Sequence, residues 1–481
     1  MEASAQALQD LKAFNRMVAG HPMLSARLIR GEHHHLQWQQ ASLFLAWRAY
    51  RARPPGTPWA PARRTTFRMS VSVSVARALT ACATLTRKAD VLVFGVDKIA
   101  APSGRDFRIE GLYRFLEDRR IPYVDAFHTR LGRAFYRNAW IRRRCAIYHE
   151  ALVFSASPRP GSDDLRIAAS LPCDGFAAAD RPFVRALAET ALRRAVASPS
   201  VVRRYARILA RLRPRAILAI DDTRYYHELV AAARTLGIPS YAFQHGHFTK
   251  YHAGWLKADA GPGDDIRPDR LFVWSPYWKK ELLRLGTNFK EEEIAVGGDP
   301  KGGAPKPEAA PYAPPHESGR IELLVPFESD APHGEIAKAL ASILATGRVK
   351  IWLKTRPDWD KESQLRAYGF AESDPSRVEA IDDPARVRKG VHAVVGVFTS
   401  YLYEAVAMRK PVFVLKTSHD GGEGMIVNGL ADAFDAAGPD AVDRLISACR
   451  AAAPKLESRA ETYLRGMGDL TTTLEALLPE A

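Results

Sequence analysis

The sequence predicts an α/β protein of two Rossmann-like domains facing across a cleft, preceded by a helical extension. Three observations predict it. Short, nearly continuous apolar runs at 90–96 (DVLVFGV), 215–220 and 411–415 have the length and pattern of parallel strands buried on both faces. Helix-length amphipathic segments alternate with such runs across short loops, the β-α-β arrangement that builds a right-handed parallel sheet. A stretch crowded with Pro and Gly, 301–319 (KGGAPKPEAAPYAPPHESG), carries no apolar period and divides the alternation into two series.

The length of 481 residues supports the division, since a single ordinary core does not grow that large. A hydrophobic content of 47% with 26% charged residues is the balance of a folded chain. No apolar run approaches the roughly 20 residues of a membrane-spanning helix. The first residues carry no apolar stretch followed by a cleavage site, so no signal peptide is expected and the expected location is the cytoplasm. Cys82, Cys145, Cys173 and Cys449 lack CxxC spacing, which argues against a zinc site and a disulfide framework and favours small buried hydrophobes. The net charge of +15 fits nucleic acid, an anionic membrane face, an anionic substrate or simply a solvated basic surface. No nucleic-acid motif is present, which favours a polymeric anionic acceptor or the inner leaflet of a membrane.

In chain order, 1–65 reads as the helical extension, with Leu8, Leu11 and Phe14 at helical spacing and a proline-rich arm at Pro54, Pro55, Pro58 and Pro61. His33–His35 within it point in different directions on a helix and are read as surface rather than as a metal site. The first Rossmann-like domain, which would hold the acceptor, is expected over 66–303. It has a strand at 90–96, a helix at 110–119, a short strand at 122–124, and an Arg/Ala-rich helical stretch over 126–200 with no clear place. Strand 215–220 ends in Asp221 and Asp222, helix 227–236 is closed by Gly237, and strand 239–243 ends in Gln244, His245 and Gly246. Strand 271–274 and helix 277–285 follow, and 293–296 leads into Gly297, Gly298 and Asp299. The second domain, for the nucleotide-sugar donor, is expected over 320–481. Its strands are 321–326, 350–354, 378–381, 393–397 and 411–415, and its helices lie near 335–344, 400–408 and 441–451.

Ligands of doubly wound sheets bind outside the carboxyl ends of the strands, so the polar residues there carry the chemistry. His245 is a candidate general base because an imidazole titrates near neutrality, although His247 and His252 compete for the role. Asp221 or Asp222 can act as nucleophile, base or orienting partner, with Gln244, Gly246 and Gly298 lining the cleft. Thr399 and Ser400 stand between a buried strand and a helix, where free amides and hydroxyls bind phosphate or simply cap the helix. Glu404, one turn on, can accept from ribose hydroxyls. Arg356, turned by Pro357, can grip a phosphate in two parallel bonds, with Lys354 as a second charge or a surface strand residue.

No one of these elements is decisive; their order is more specific. An aspartate stands before QHG with 21 or 22 residues between, followed by VWSP, GGDP, the proline-rich linker, KTRP and FTSYLYEAVAMRKPVFVL. Over about residues 210–440 this order resembles GT-B glycosyltransferases of bacterial surface and capsular polysaccharides. The likeness is to Kdo-type transferases and the related CDP-glycerol glycerophosphotransferases. Gln244 matches the QHG form of the Kdo-type proteins. The resemblance implies donor-nucleotide contacts at Thr399, Ser400 and Glu404, and donor-phosphate contacts at Arg356 and Pro357, where Arg replaces the family's His. It implies an aspartate nucleophile in retaining members, at Asp222 or Asp221. The implied activity is transfer of Kdo or a related acidic sugar from a CMP-activated donor to a surface polysaccharide or glycolipid. The nucleotide sugar is then a co-substrate, with no metal or other cofactor, and the protein is cytoplasmic or peripheral on the inner membrane. The alternatives are CDP-linked polyol-phosphate transfer, or an inactive GT-B protein that binds a glycan or partner.

Overall fold

The computed structural model describes the chain apart from residues 1–2, 30–34, 54–66, 87, 97–98, 101–103, 130, 132, 143–144, 157–160, 222–225, 253, 255–265, 303–311, 318, 330, 357–358, 372, 388 and 480–481. The apolar runs form two parallel sheets. The first comprises β1 (Val91–Val96), β4 (Tyr123–His128), β5 (Ile147–Tyr148), β6 (Ala216–Ile220), β7 (Ser240–Phe243), β8 (Arg270–Val273) and β9 (Ile294–Val296). Its order is β5-β4-β1-β6-β7-β8-β9, and a small antiparallel ribbon, β2 (Ile99–Ala100) with β3 (Arg105–Asp106), stands beside it. The second comprises β10 (Ile321–Pro326), β11 (Val349–Lys354), β12 (Val378–Ile381), β13 (Ala393–Gly396), β14 (Val412–Leu415) and β15 (Asp432–Phe434), in the order β12-β11-β10-β13-β14-β15. Each sheet winds outward from its first strand, then returns and winds the other way. The reversal falls between β1 and β6 in one sheet and between β10 and β13 in the other. Connections diverge at that point and leave a crevice, where doubly wound sheets bind ligands.

The expected two-domain α/β architecture is therefore present, with helices Ala3–Gly20, Pro22–Leu28 and His35–Arg51 in front of it. These pack on the long helix Arg181–Leu212 around Phe14, Trp47 and Phe183. Arg51 ties them down by reaching Asp10 at 2.6 Å and Asp180 at 2.8 Å. The strand expected at 122–124 runs on through His128. The Arg/Ala-rich stretch resolves into four helices, Arg133–Arg142, His149–Ala156, Ser162–Ala169 and Arg181–Leu212. Pro54–Pro61, His33 and His34 lie outside the described residues.

The two sheets are joined behind the crevice by an apolar seam. Trp278, fully buried, packs at 4.6 Å from the Tyr403 ring of the second domain, and Tyr403 at 5.6 Å from Tyr463. Each such aromatic pair contributes about 0.5–1.5 kcal/mol beyond the burial itself. Lys250 adds ion pairs to Asp420 at 2.5 Å and Glu423 at 3.1 Å across the same boundary.

One boundary needs correction. The chain does not end on the second domain: after helix Leu456–Leu464 it crosses back, and helix Leu470–Leu477 buries Leu474 and Leu478 among Leu112, Leu116 and Phe272 of the first. The crossing passes so close to Gly298 that a Cβ there would lie 2.6 Å from the Gly468 carbonyl oxygen, and Gly298 has φ +82°. Gly298 is thus a packing residue of the crossover and does not line the cleft.

Gly298→Ala should destabilise the protein by about 2–4 kcal/mol in chemical denaturation, because both backbone conformation and space oppose the methyl. Gly429→Ala, also at positive φ but with no neighbour within 4 Å, should cost about 1 kcal/mol. Equal losses would contradict the close approach.

Candidate active site in the interdomain cleft

A cleft of about 410 Å³ opens at the carboxyl ends of both sheets. His245, Gly246 and Lys301 enter it from the first domain, and Lys354, Arg356, Thr399, Ser400 and Glu404 from the second. Residues more than 150 positions apart, such as His245 and Ser400, meet there because both sheets turn the carboxyl ends of their strands to the same cleft.

His245 follows β7, directly beside the end of β6. Asp221, 1% exposed at that end, accepts hydrogen bonds from both the His245 backbone N–H, at 3.2 Å, and the imidazole Nδ1. A carboxylate on Nδ1 fixes the tautomer: the proton sits on Nδ1 and Nε2 keeps its lone pair. Asp221 is thereby an orienting partner, too buried to serve as a nucleophile, and Asp222 lies outside the described residues. Gln244 is fully buried beneath the cleft rather than lining it. Its Nε2 donates to the Gly246 carbonyl at 2.8 Å, its Oε1 accepts from the Trp274 N–H at 3.0 Å, and its own carbonyl accepts from the Trp274 indole at 2.7 Å. Those bonds hold the loop that presents His245. A Cβ on Gly246 would meet no protein atom within 4 Å, so the glycine keeps cleft space open.

The competing histidines separate by environment. His247 sits in the cleft wall against Phe398 and Tyr403, and burial, reinforced by His252, His245, His419 and Lys301, pushes its pKa down to about 3. It is neutral throughout the physiological range, and its buried Nε2 has no hydrogen-bond partner. His252 also lines the cleft.

In the second domain Thr399 caps helix Ser400–Ala407, its hydroxyl accepting from the Tyr401 N–H at 3.3 Å. The amides just before the cap are already engaged. Glu328, beyond the end of β10, accepts from the Val397 N–H at 2.6 Å and the Phe398 N–H at 2.8 Å. A carboxylate thus occupies part of the anion cradle expected for phosphate. Gly396 permits this, since a Cβ there would stand 2.7 Å from Glu328 Oε1. Burial pushes the Glu328 carboxyl up to about 7, against the amides and nearby Arg356. The Arg356 loop is held by Gln364, which accepts from the Arg356 N–H at 2.8 Å and donates to its carbonyl at 2.9 Å. Lys354 stands 5.1 Å from the Tyr401 ring, and burial lowers its pKa. Glu404 faces Lys301 across the cleft at 3.5 Å.

Glu328 is among the polar residues that follow a strand end, where the sequence places the chemistry, but its hold on the amides before the Ser400 helix shows only in the folded chain. Lys301 stands out only in the folded chain, because it lies at the start of a segment that reads as linker. Arg108, bound to Asp106 through Nε at 2.8 Å and a second nitrogen at 2.5 Å, completes the cationic wall. Arg108, Lys301, Lys354 and Arg356 outnumber Glu328 and Glu404, so the cleft favours an anion. Among the described residues, no group of three or more His, Cys, Asp or Glu is placed to hold a metal ion.

No protein-family model matches the chain, and no curated protein matches it in sequence. Among solved structures it is similar in fold to the calicheamicin glycosyltransferase CalG4, at 14% identity and TM-score 0.46, over 82% of this chain and 99% of that one. It is likewise similar in fold to Acinetobacter baumannii MurG, at 13% identity and TM-score 0.44, over 81% and 98%. The UDP-GlcNAc 2-epimerase from Neisseria meningitidis, at 12% identity and TM-score 0.45, covers 81% and 98%. Likenesses this distant follow the path of the chain and carry nothing about activity.

Glu328 has a pKa raised from 4.5 to about 7. Its contribution to folding is therefore complete below 4.5 and is lost as pH rises through 7. Over the same upper range it gains a negative charge beside the anion-binding wall. A nucleotide should bind the wild type about five- to tenfold more weakly at pH 8 than at pH 6, and Glu328→Gln should remove most of that difference. Calorimetric titration of both proteins checks this, because ionisation of the nucleotide itself is common to the two. Identical pH slopes would contradict a titrating Glu328.

Proposed function

We propose that this chain is a glycosyltransferase that moves a sugar from a nucleotide-activated donor to a bacterial surface polysaccharide or glycolipid. The preferred donor is a CMP-linked acidic sugar, Kdo or a relative. The observation that carries this reading is the confrontation, across one cleft, of a carboxylate-oriented histidine with a wall of cations that includes Lys354 and Arg356. The order of motifs from QHG to the FTSYLYE segment supports the particular donor.

In this mechanism the donor lies on the second domain. Arg356 and Lys354 face its phosphate, Ser400 donates from the helix start, and Glu404 accepts from the ribose once Lys301 turns to the donor. Arg108 and Lys301 offer charge to the carboxylate of an acidic sugar. His245 Nε2 takes the proton of the acceptor hydroxyl while that oxygen bonds to the anomeric carbon. The bond from that carbon to the phosphate oxygen breaks, and CMP departs with the electron pair. Asp221 stabilises the imidazolium that forms, as the buried aspartate does in a hydrolase triad. The cations neutralise the leaving phosphate, so the proposed step uses no metal or cofactor beyond the activated sugar. The proposed location is the cytoplasm, at the inner face of the membrane.

Turnover of CMP-Kdo should fall by about 10²–10⁴ in Asp221→Asn with little change in KM, because the tautomer is lost while the donor site stays intact. His245→Ala should fall at least as far, and CMP should raise the melting temperature of all three proteins. Stabilisation by UDP but not CMP would sink the CMP reading. Full activity in both variants would remove His245 from the reaction.

A further inference from the structure

Helix Phe67–Thr86 departs from the ordinary surface pattern. Its inner side packs on β5 and on helix His149–Ala156. Its outer side is largely apolar: Val71, Ala78, Ala81 and Leu85 form one exposed stripe, interrupted by exposed Ser74 and edged by exposed Arg77, with Leu85 61% exposed. A helix with an apolar stripe on its outer side and an arginine at the stripe's edge suits a membrane surface, and none of the chain's described helices is long and apolar enough to span a membrane.

The surroundings extend the stripe in two ways. At one end, the Tyr136 hydroxyl meets Ser72 at 3.0 Å, and Trp140, one turn further along the same helix, is 79% exposed. Indole and phenol rings favour the boundary between headgroups and acyl chains. At the other end, a groove of about 350 Å³ runs between this helix and helix Arg181–Leu212. It is lined by Ala81, Leu85, Leu152 and Ile208, with Arg77 and Arg204 at its rim. The threonines that border it donate their hydroxyls to backbone carbonyls of their own helix, Thr80 to Ala76 and Thr84 to Thr80, each at 2.8 Å. The groove therefore presents methyl groups. Arg203, Arg207, Arg211 and Arg213 stand exposed beside it, and neither 67–89 nor 190–220 contains an acidic residue.

We propose that this face docks on an anionic lipid bilayer, the stripe lying in the headgroup boundary and the groove taking one acyl chain while the arginines meet lipid phosphates. Exposed aliphatic residues and a methyl-lined groove favour lipid over nucleic acid, which offers nothing aliphatic to fill them. Membrane docking does not depend on which sugar the cleft takes. The test is co-flotation with vesicles of phosphatidylcholine alone or with about 30% phosphatidylglycerol. Wild type should partition at least about tenfold more strongly to the anionic vesicles, and less so as salt rises. Leu85→Asp with Trp140→Ala should abolish most of this binding. Arg203→Glu with Arg207→Glu should remove the preference for anionic lipid, and both variants should keep wild-type melting and nucleotide binding. Equal or absent partitioning on the two vesicles, unaltered binding of the Leu85/Trp140 variant, or binding of an RNA homopolymer without binding of vesicles would overturn the proposal.

Discussion

The aromatic seam around Trp278 is the constraint on which the site depends. Each sheet brings its crevice to the carboxyl ends of its strands, but two crevices make one cleft only if the sheets are held face to face. Trp278, Tyr403 and Tyr463 do this from behind, with Trp278 Nε1 donating to the Tyr463 hydroxyl at 3.5 Å. The returning helix Leu470–Leu477 adds a second attachment, because residues of the last segment lie in the first domain's core. Burying side chains of this size contributes about 1.5–3 kcal/mol each, enough for a few of them to hold the arrangement.

Within that frame the charges of the cleft are largely answered by partners. Asp221 answers His245, Asp106 answers Arg108, Glu404 answers Lys301, and Glu328 takes the amides before the Ser400 helix. A ligand phosphate therefore enters by exchange, sharing or replacing carboxylates already in place on cations that folding has partly withdrawn from water. The partner that is too buried to leave, Asp221, orients. The half-exposed Glu404 can give way.

Much of this was legible in the sequence, and the rest was not for identifiable reasons. Strands buried on both faces read as continuous apolar runs, so β10 and β12 were found to the residue and most others within one or two. The residues after strand ends were legible for the same reason, which brought His245, Arg356, Ser400 and Glu404 together in advance. The part played by Gln244 was not legible, because a polar residue next to a histidine looks the same whether it faces ligand or braces the loop. Two adjacent aspartates could not be told apart until the packing of β6 against β7 set Asp221 on the imidazole. Helix Phe67–Thr86 has no clear apolar period, because exposed Val71, Ala78, Ala81 and Leu85 answer its buried side and serines interrupt both. Strand β15 is three residues long, too short to show a pattern.

The most direct test of the account is the position of CMP bound to the protein, seen in a crystallographic difference map. The account predicts its phosphate within about 3 Å of Arg356 and Lys354 on the second domain, with the imidazole of His245 facing it across the cleft. Cytidine bound elsewhere, or a phosphate held away from both cations, would contradict it.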